Sequence, residues 1–352
     1  MKKILFITSA SLADLKRGTP IRIFNFVEQL KKDHQVLLYE SVPTNQLLKQ
    51  LWRFLVIVKN EKPDLVMTAT DVDISLPFWL KIITGVKIAI DLHGLAAAEM
   101  YFHGQMGQIK SWLFQRKISW QIRWYDLVFV VSPKLIDYYG HRLKQGVVVY
   151  GGVTTNEFYH GAIRPPAVFT IGYTGNCNPY QGVNTVLNVA SRIRQKNLFS
   201  FRLNLILSNG RGEIEDQLKV LGLSDVTELH FKVPHEEVPA LIAASDVLVI
   251  ARPSVPMTEY AYPSKLPEYL ATGIPVVTTR VGPVEALFQD QNCLIIISPD
   301  QVEVELEQAL VKLQVMTRAE REILGSRAVA FVRQNLTWDV LGATINKNVE
   351  AL

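Results

Sequence analysis

Short, β-branched, nearly uncharged runs alternate along this chain with longer stretches whose apolar residues recur at helical spacing. The first half predicts strands at Lys3–Ser9, Gln35–Glu40, Asp64–Ala69, Lys87–Leu92, Leu127–Ser132 and Val147–Gly151. Between them the spacing predicts helices from Pro20 to Lys31, near Leu47–Lys59 and Pro77–Ile83, over Ala96–Arg123, and over Pro133–Leu143. Pro20 stands at the first helical position, where its missing N–H costs nothing. Thr154–Ala167, with Pro165-Pro166, reads as a linker. A second alternation follows, with strands Phe169–Gly175, Phe201–Leu207, Thr227–Lys232, Val247–Ala251, Ile274–Thr279 and Cys293–Ile297. Its helices are Val183–Lys196, Glu213–Leu221, Glu236–Ala244 and Lys265–Thr272, and the chain closes on helical segments Gln301–Val315, Arg318–Asn335 and Trp338–Glu350. Strands without a polar face, each followed by a helix, imply parallel sheets covered on both sides. The fold class is therefore α/β, with two doubly wound domains at 1–160 and 168–335 and a last helix at 336–352. Such domains take ligands at the carboxyl ends of their strands, which places the expected site in a cleft between the two.

Composition sharpens this picture in three ways. At 352 residues, 48% hydrophobic and 20% charged, the chain is globular and long enough for two cores. Its two cysteines, Cys177 and Cys293, match no metal or redox spacing and point to a reducing compartment, hence a cytoplasmic location. MKKILFITSASLADLK has a basic start but a short apolar run, and reads as a first buried strand, not a leader. Leu47–Val58 is too short and too charged to span a membrane. Charge is uneven: residues 1–165 hold 21 Lys and Arg against 13 Asp and Glu, a net of +8, and the remainder nets −4. Five of the six tryptophans, Trp52, Trp79, Trp112, Trp120 and Trp124, fall in that basic half. Basic residues interleaved with tryptophan suit an anionic membrane surface, although the same tryptophans could pack against the sheet. No helix-turn-helix, zinc-finger or RNP-type signature supports nucleic acid as a partner.

The candidate chemistry centres on Tyr262–Glu285, YPSKLPEYLATGIPVVTTRVGPVE. Pro263-Ser264 opens a short helix with Ser264 at the capping position, and Gly273 closes it before a buried strand. A helix start favours an anion, Lys265 adds charge there, and Glu268 one turn on can accept hydrogen bonds from a vicinal diol. Phosphate donors beside a diol acceptor make a nucleotide site; a capped surface helix is the plainer alternative. A nicotinamide-binding loop would need G-x-G-x-x-G after the first strand, and ITSASLADLKRG has a single glycine. Asp71-Val72-Asp73 has the D-x-D spacing of a metal site but no further ligands nearby, so it reads as structural. Asp91-Leu92-His93-Gly94 ends a buried strand, so His93 projects at the sheet's carboxyl edge.

SKLPEYLATGIPVVTT resembles the donor-binding segment of GT-B glycosyltransferases, in particular the retaining family-4-type group 1 enzymes. The resemblance extends more weakly from Met1 to the last helix, since LTWDVLGATINKNVE looks like the GT-B helix that crosses back to the N-terminal domain. It implies a GT-B fold of two Rossmann-like domains. It implies that Glu268 holds the nucleotide ribose, with Pro263 and Ser264 beside the diphosphate. Gly18 resembles the family's N-terminal glycine loop, Arg22 follows on the helix where it can face a phosphate, and His93 resembles a histidine that contacts the transferred sugar. Gly175-Asn176-Cys177-Asn178-Pro179-Tyr180-Gln181-Gly182 matches the family's G-R-x-x-x-x-K-G in spacing, but Asn176 and Gln181 are neutral where the family has Arg and Lys. A leaving diphosphate needs positive charge, and Arg252 with Lys265 is the available replacement. Of the family's paired glutamates Glu268 is the second, and Tyr260 occupies the first position with Glu259 one residue off.

The resemblance thus implies a hexosyltransferase that moves a sugar from a nucleotide-diphosphate donor to a glycan or lipid-linked acceptor. It implies no metal and no other cofactor, and location in the cytoplasm, peripheral at the inner face of the membrane. A GT-B nucleotide-sugar 2-epimerase and a catalytically silent GT-B binding protein are the alternatives, the second favoured by Asn176 and Gln181.

Overall fold

The structure is a computed structural model, and it describes residues 1–10, 18–40, 47–70, 72–154, 168–288 and 291–352. Two compact units partition the chain: Met1–Gly152 with Glu259–Tyr262 and Trp338–Leu352, and Val153–Thr258 with Pro263–Thr337.

In chain order the N-terminal unit runs β1 (Lys3–Thr8), α1 (Gly18–Asp33), β2 (Gln35–Glu40), α2 (Leu47–Glu61), β3 (Leu65–Ala69) and α3 (Ser75–Thr84). It continues through β4 (Lys87–Leu92), α4 (Ala96–Phe102), α5 (Gln108–Gln121), β5 (Leu127–Val130), α6 (Pro133–Tyr139) and β6 (Gly146–Val148). These strands pair in parallel in the order β2-β1-β3-β4-β5-β6. Alternate strand residues feed two separate cores. Leu5, Ile7, Val66, Ile88, Ile90, Val128 and Val130 face Phe54 and Val58 of α2, Leu76 and Leu80 of α3, and Ile118 of α5. Ile4, Phe6, Leu65, Met67, Ala89, Leu127 and Phe129 face Ile23, Phe26 and Leu30 of α1 on the other side. One expectation is corrected here: Ala96–Arg123 is not one helix, because Gly104 takes φ +67 and splits it into α4 and α5.

The second unit runs β7 (Phe169–Gly175), α7 (Val183–Gln195), β8 (Phe201–Leu207), α8 (Arg211–Val220), β9 (Thr227–Phe231), α9 (Val238–Ile242) and β10 (Val247–Ile250). After α10 (Pro256–Glu259) come α11 (Lys265–Ala271), β11 (Val276–Thr279), α12 (Val284–Phe288), β12 (Ile295–Ile297), α13 (Val302–Val315) and α14 (Arg318–Asn335). Its parallel sheet has the order β12-β11-β10-β7-β8-β9, so the winding reverses between β7 and β10. The final helix, α15 (Trp338–Glu350), packs on α1 in the N-terminal unit, with Trp338, Leu341, Ile345 and Val349 in the α1 core. That is the helix that returns to the N-terminal domain, and the α/β fold class stands as expected. The linker Thr154–Ala167 lies outside the described residues apart from Thr154.

Candidate functional site

Open α/β sheets bind ligands where the strand order reverses, because there the flanking loops diverge. In the second unit that point lies at the ends of β7 and β10. Two side chains from α11 fix the end of β7. Lys265 Nζ donates to the Thr174 carbonyl at 2.8 Å and lies 4.1 Å from the centre of the Tyr173 ring. The Tyr269 hydroxyl accepts from the Thr174 N–H at 2.6 Å and donates to Thr174 Oγ1 at 3.1 Å. Beyond the strand, the Tyr173 hydroxyl lies 3.2 Å from the Gln181 carbonyl and 3.4 Å from that of Asn176, holding the 176–182 loop.

Two glycines of that loop are required by contact. Gly175, at φ +151, leaves 3.1 Å between a would-be Cβ and both Lys265 Nζ and the Tyr173 hydroxyl. Gly182 is at φ +82, and a Cβ there would lie 1.9 Å from the Ala251 carbonyl oxygen. The loop backbone is thereby pressed against the residue preceding Arg252.

Arg252 and Lys265 are both buried and near each other, and Arg252 also lies over the Tyr180 ring. The Arg252 carbonyl accepts from Thr279 Oγ1 at 2.8 Å, which fixes the end of β10 against β11. Burial, and then the Arg252 charge, depress the Lys265 pKa to about 7, with Glu268 opposing weakly. Lys265 is thus a poised cation and not the fully charged group its exposure at a helix start would give. Glu268, on the first turn of α11, meets His235 with Oε1 3.3 Å from Nε2. His235 begins a turn just before α9 and was missed by sequence reasoning; 33 residues separate it from Glu268, and no spacing rule joins them.

Other sequence candidates need revision. Ser264 has helical dihedrals and makes no capping hydrogen bond, so α11 begins without the expected side-chain cap; the Pro263 carbonyl instead accepts from the Leu266 N–H at 2.9 Å. Asn176 Oδ1 accepts from the Asn178 N–H at 3.0 Å, and Gln181 contributes its backbone, so both shape the loop. Tyr260 belongs to the N-terminal unit, where its ring packs edge-on to Tyr138 at 5.3 Å. Glu259 pairs there with Lys134. The first-glutamate position is therefore not part of the unit that holds Arg252, Lys265 and Glu268.

In the N-terminal unit β4 ends on a buried ion cluster. Asp91 Oδ1 and Oδ2 take Arg22 Nη2 and Nε at 2.8 and 2.9 Å, and Oδ2 lies 2.7 Å from His93 Nε2. Arg22 also donates to the Val149 and Tyr150 carbonyls at 2.9 and 2.8 Å. Burial pushes the Asp91 carboxyl up, but Arg22 and His93 outweigh it and hold the group well below the usual carboxylate range. Arg22 is thus committed to Asp91 and not aimed at a phosphate, a correction that follows from its being only 8% exposed. His93 is anchored by the same carboxylate and by its own N–H, which donates to Thr70 Oγ1 at 2.8 Å. Gly18 opens α1; residues 11–17 before it, and Asp71, lie outside the described residues. Asp73 accepts from the Ser75 N–H at 2.8 Å and lies 3.7 Å from Lys117, a structural assignment. Among the described residues no group of three or more His, Cys, Asp and Glu could hold a metal ion.

Residues 168–314 match the family model described as glycosyl transferases group 1. The matched stretch, less than half of the chain, contains the whole β7–β10 switch point, from Gly175 to Glu268, so the match and the geometry concern the same residues. The MMP alpha-(1->4)-mannosyltransferase of Mycolicibacterium hassiacum is 27% identical over 146 residues, covering 41% of this chain. The match spans about a third of that relative's length, 34%. Sucrose-phosphate synthase from Thermosynechococcus elongatus superposes with a TM-score of 0.80 at 16% identity, covering 100% of this chain and 99% of that one. HepE of Anabaena in complex with UDP-glucose gives 0.75 at 16% identity, covering both chains fully at 100%. These likenesses establish the fold as that of GT-B glycosyltransferases, and with the group 1 match they bear out the resemblance read from SKLPEYLATGIPVVTT.

Proposed function

We propose that the protein is a retaining glycosyltransferase that moves a hexose from a nucleoside-diphosphate sugar to a lipid-linked glycan. The observation that carries the reading is the gathering of Arg252 and Lys265 at the β7–β10 switch point, with Glu268 on the same helix as Lys265. In this reading Glu268 exchanges His235 for the two ribose hydroxyls. Arg252 and Lys265 meet the diphosphate, whose negative charge grows as the glycosidic bond breaks. They supply charge that Asn176 and Gln181 do not, so the neutral loop marks relocated cations instead of a silent protein. No divalent metal is required by this arrangement. In the N-terminal unit His93, oriented by Asp91, is assigned to the transferred sugar. The UDP-glucose bound by HepE supports a nucleotide-sugar donor by analogy of fold.

The test is release of nucleoside diphosphate from UDP- and GDP-hexoses with and without membrane-extracted acceptor, with NMR of the product anomer. Acceptor-dependent release with retained configuration is expected. An epimerised sugar nucleotide formed without acceptor would assign the 2-epimerase reading instead, and binding without turnover would assign the binding protein.

A further inference from the structure

The tryptophans that could have packed against the N-terminal sheet do not. Trp52 is 72% exposed, and Trp79, Trp112, Trp120 and Trp124 are 42, 56, 51 and 39% exposed, whereas Trp338 alone is buried. They stand on α2, α3, α5 and the turn that follows α5, and these helices cover one and the same side of the sheet. Part of the surface is continuous by direct contact: the rings of Trp79, Trp120 and Trp124 surround Phe78 at 5.0, 5.3 and 6.0 Å. Leu48, Ile83 and Ile109 are also exposed, at 80, 55 and 75%.

The charges interleaved with these side chains are of one sign. Lys49, Lys59, Lys62, Lys110 and Arg123 have no acidic partner among the described residues. Of the acids nearby, Glu61 pairs with Lys3, Asp73 with Lys117, and Asp126 with Lys81 and Lys144. Between Gln108 and Tyr125 the sequence contains no acidic residue. Arg116 lies over the Trp112 ring at 4.9 Å, an arrangement that keeps an aromatic body and a cation at one level. Between α2 and α3 a crevice of about 610 Å³ is floored by Leu55, Val58, Ile83 and Val86, with Lys59 and Lys62 on its lining.

We propose that the outer faces of α2, α3 and α5 dock on an anionic phospholipid bilayer, with the α2–α3 crevice seating one acidic lipid. Indole rings and long basic side chains share the headgroup boundary, apolar parts inward and polar tips wet. An apolar floor with two lysines fits an acyl segment joined to a phosphate. A protein partner would match the apolar surface but gives no reason for the unpaired basic residues on or beside both α2 and α5. The docking deepens the lipid-linked acceptor reading and rests on it for its purpose, while its evidence is the surface alone.

Co-sedimentation with phosphatidylcholine vesicles, with and without phosphatidylglycerol, tests it in the absence of any sugar nucleotide. Binding at least tenfold tighter to the anionic vesicles, weakened by high salt, and accompanied by a blue shift in tryptophan emission, is expected. Lys59→Glu/Lys62→Glu and, separately, Trp52→Ser change exposed positions and should each lower binding several-fold with an unchanged melting temperature. Protein left in the supernatant at low salt, equal affinity for neutral vesicles, or unaltered binding by the double lysine variant would overturn the proposal. So would concentration-dependent dimerisation that buries the tryptophans without vesicles. Transfer to a water-soluble acceptor alone would sink the lipid-linked acceptor and leave these vesicle results standing.

Discussion

Raising the pH through neutrality should weaken nucleotide binding, and the cause is Lys265. In the free protein its pKa is depressed to about 7, first by burial and then by the Arg252 charge. A diphosphate brought to the switch point adds two or more negative charges beside the ammonium, which favours the protonated form. Its pKa must therefore rise on binding, and binding must take up protons. The sign follows. Below about pH 7 the lysine is already protonated and affinity is flat. Above it the affinity falls, by up to about tenfold per pH unit, because a single proton must be supplied from solution. Between pH 7 and 9 the loss approaches roughly a hundredfold, or about 2.7 kcal/mol, if the bound pKa stays above 9. Titration calorimetry with UDP and GDP, in buffers of different ionisation enthalpy, reads both the affinity and the protons taken up. Lys265→Met should abolish the proton uptake and the pH dependence together. A wild-type affinity independent of pH from 6 to 9, with no buffer dependence, would refute the reasoning that Lys265 meets the diphosphate.

Replacing Glu268 by Ala should lower nucleotide affinity by about 2–3 kcal/mol, since a charged acceptor of two hydroxyl hydrogen bonds is lost, and the same calorimetry reads it. Sugar transfer should persist in excess EDTA; loss of activity restored by magnesium or manganese would reopen the case for Asp71 and Asp73. Asp91→Asn leaves Arg22 buried without its counter-charge and should cost about 3–5 kcal/mol in urea unfolding, with Arg22 the partner exposed to the loss. Gly182→Ala places a methyl group 1.9 Å from the Ala251 carbonyl oxygen at φ +82, and should lower the melting temperature by several degrees and weaken nucleotide binding with it.

Much of the architecture was legible along the chain because its signals are local. Uncharged strands such as Val247–Ile250 and Val276–Thr279 need no partner to be seen as buried, and helix Arg318–Asn335 coincides with its spacing. Gly273 after α11 and the return helix from Trp338 were visible in the same way. The string SKLPEYLATGIPVVTT pointed to the candidate site, and it lies inside the stretch that the family model matches. What tertiary structure alone decided was how each charge is spent. Arg22 looked like any cation at a helix start until Asp91, 69 residues away, proved to hold it. Lys265 kept its place but not its full charge, because desolvation and the approach of Arg252 depend on chain segments no local pattern connects. His235 came to Glu268, and Tyr260 to Tyr138, by packing across 33 and 122 residues respectively. The same distinction holds for the tryptophans: sequence could count them in the basic half, but only the folded helices show that they face outward, since a helix has two sides and the pattern on α5 does not say which is covered.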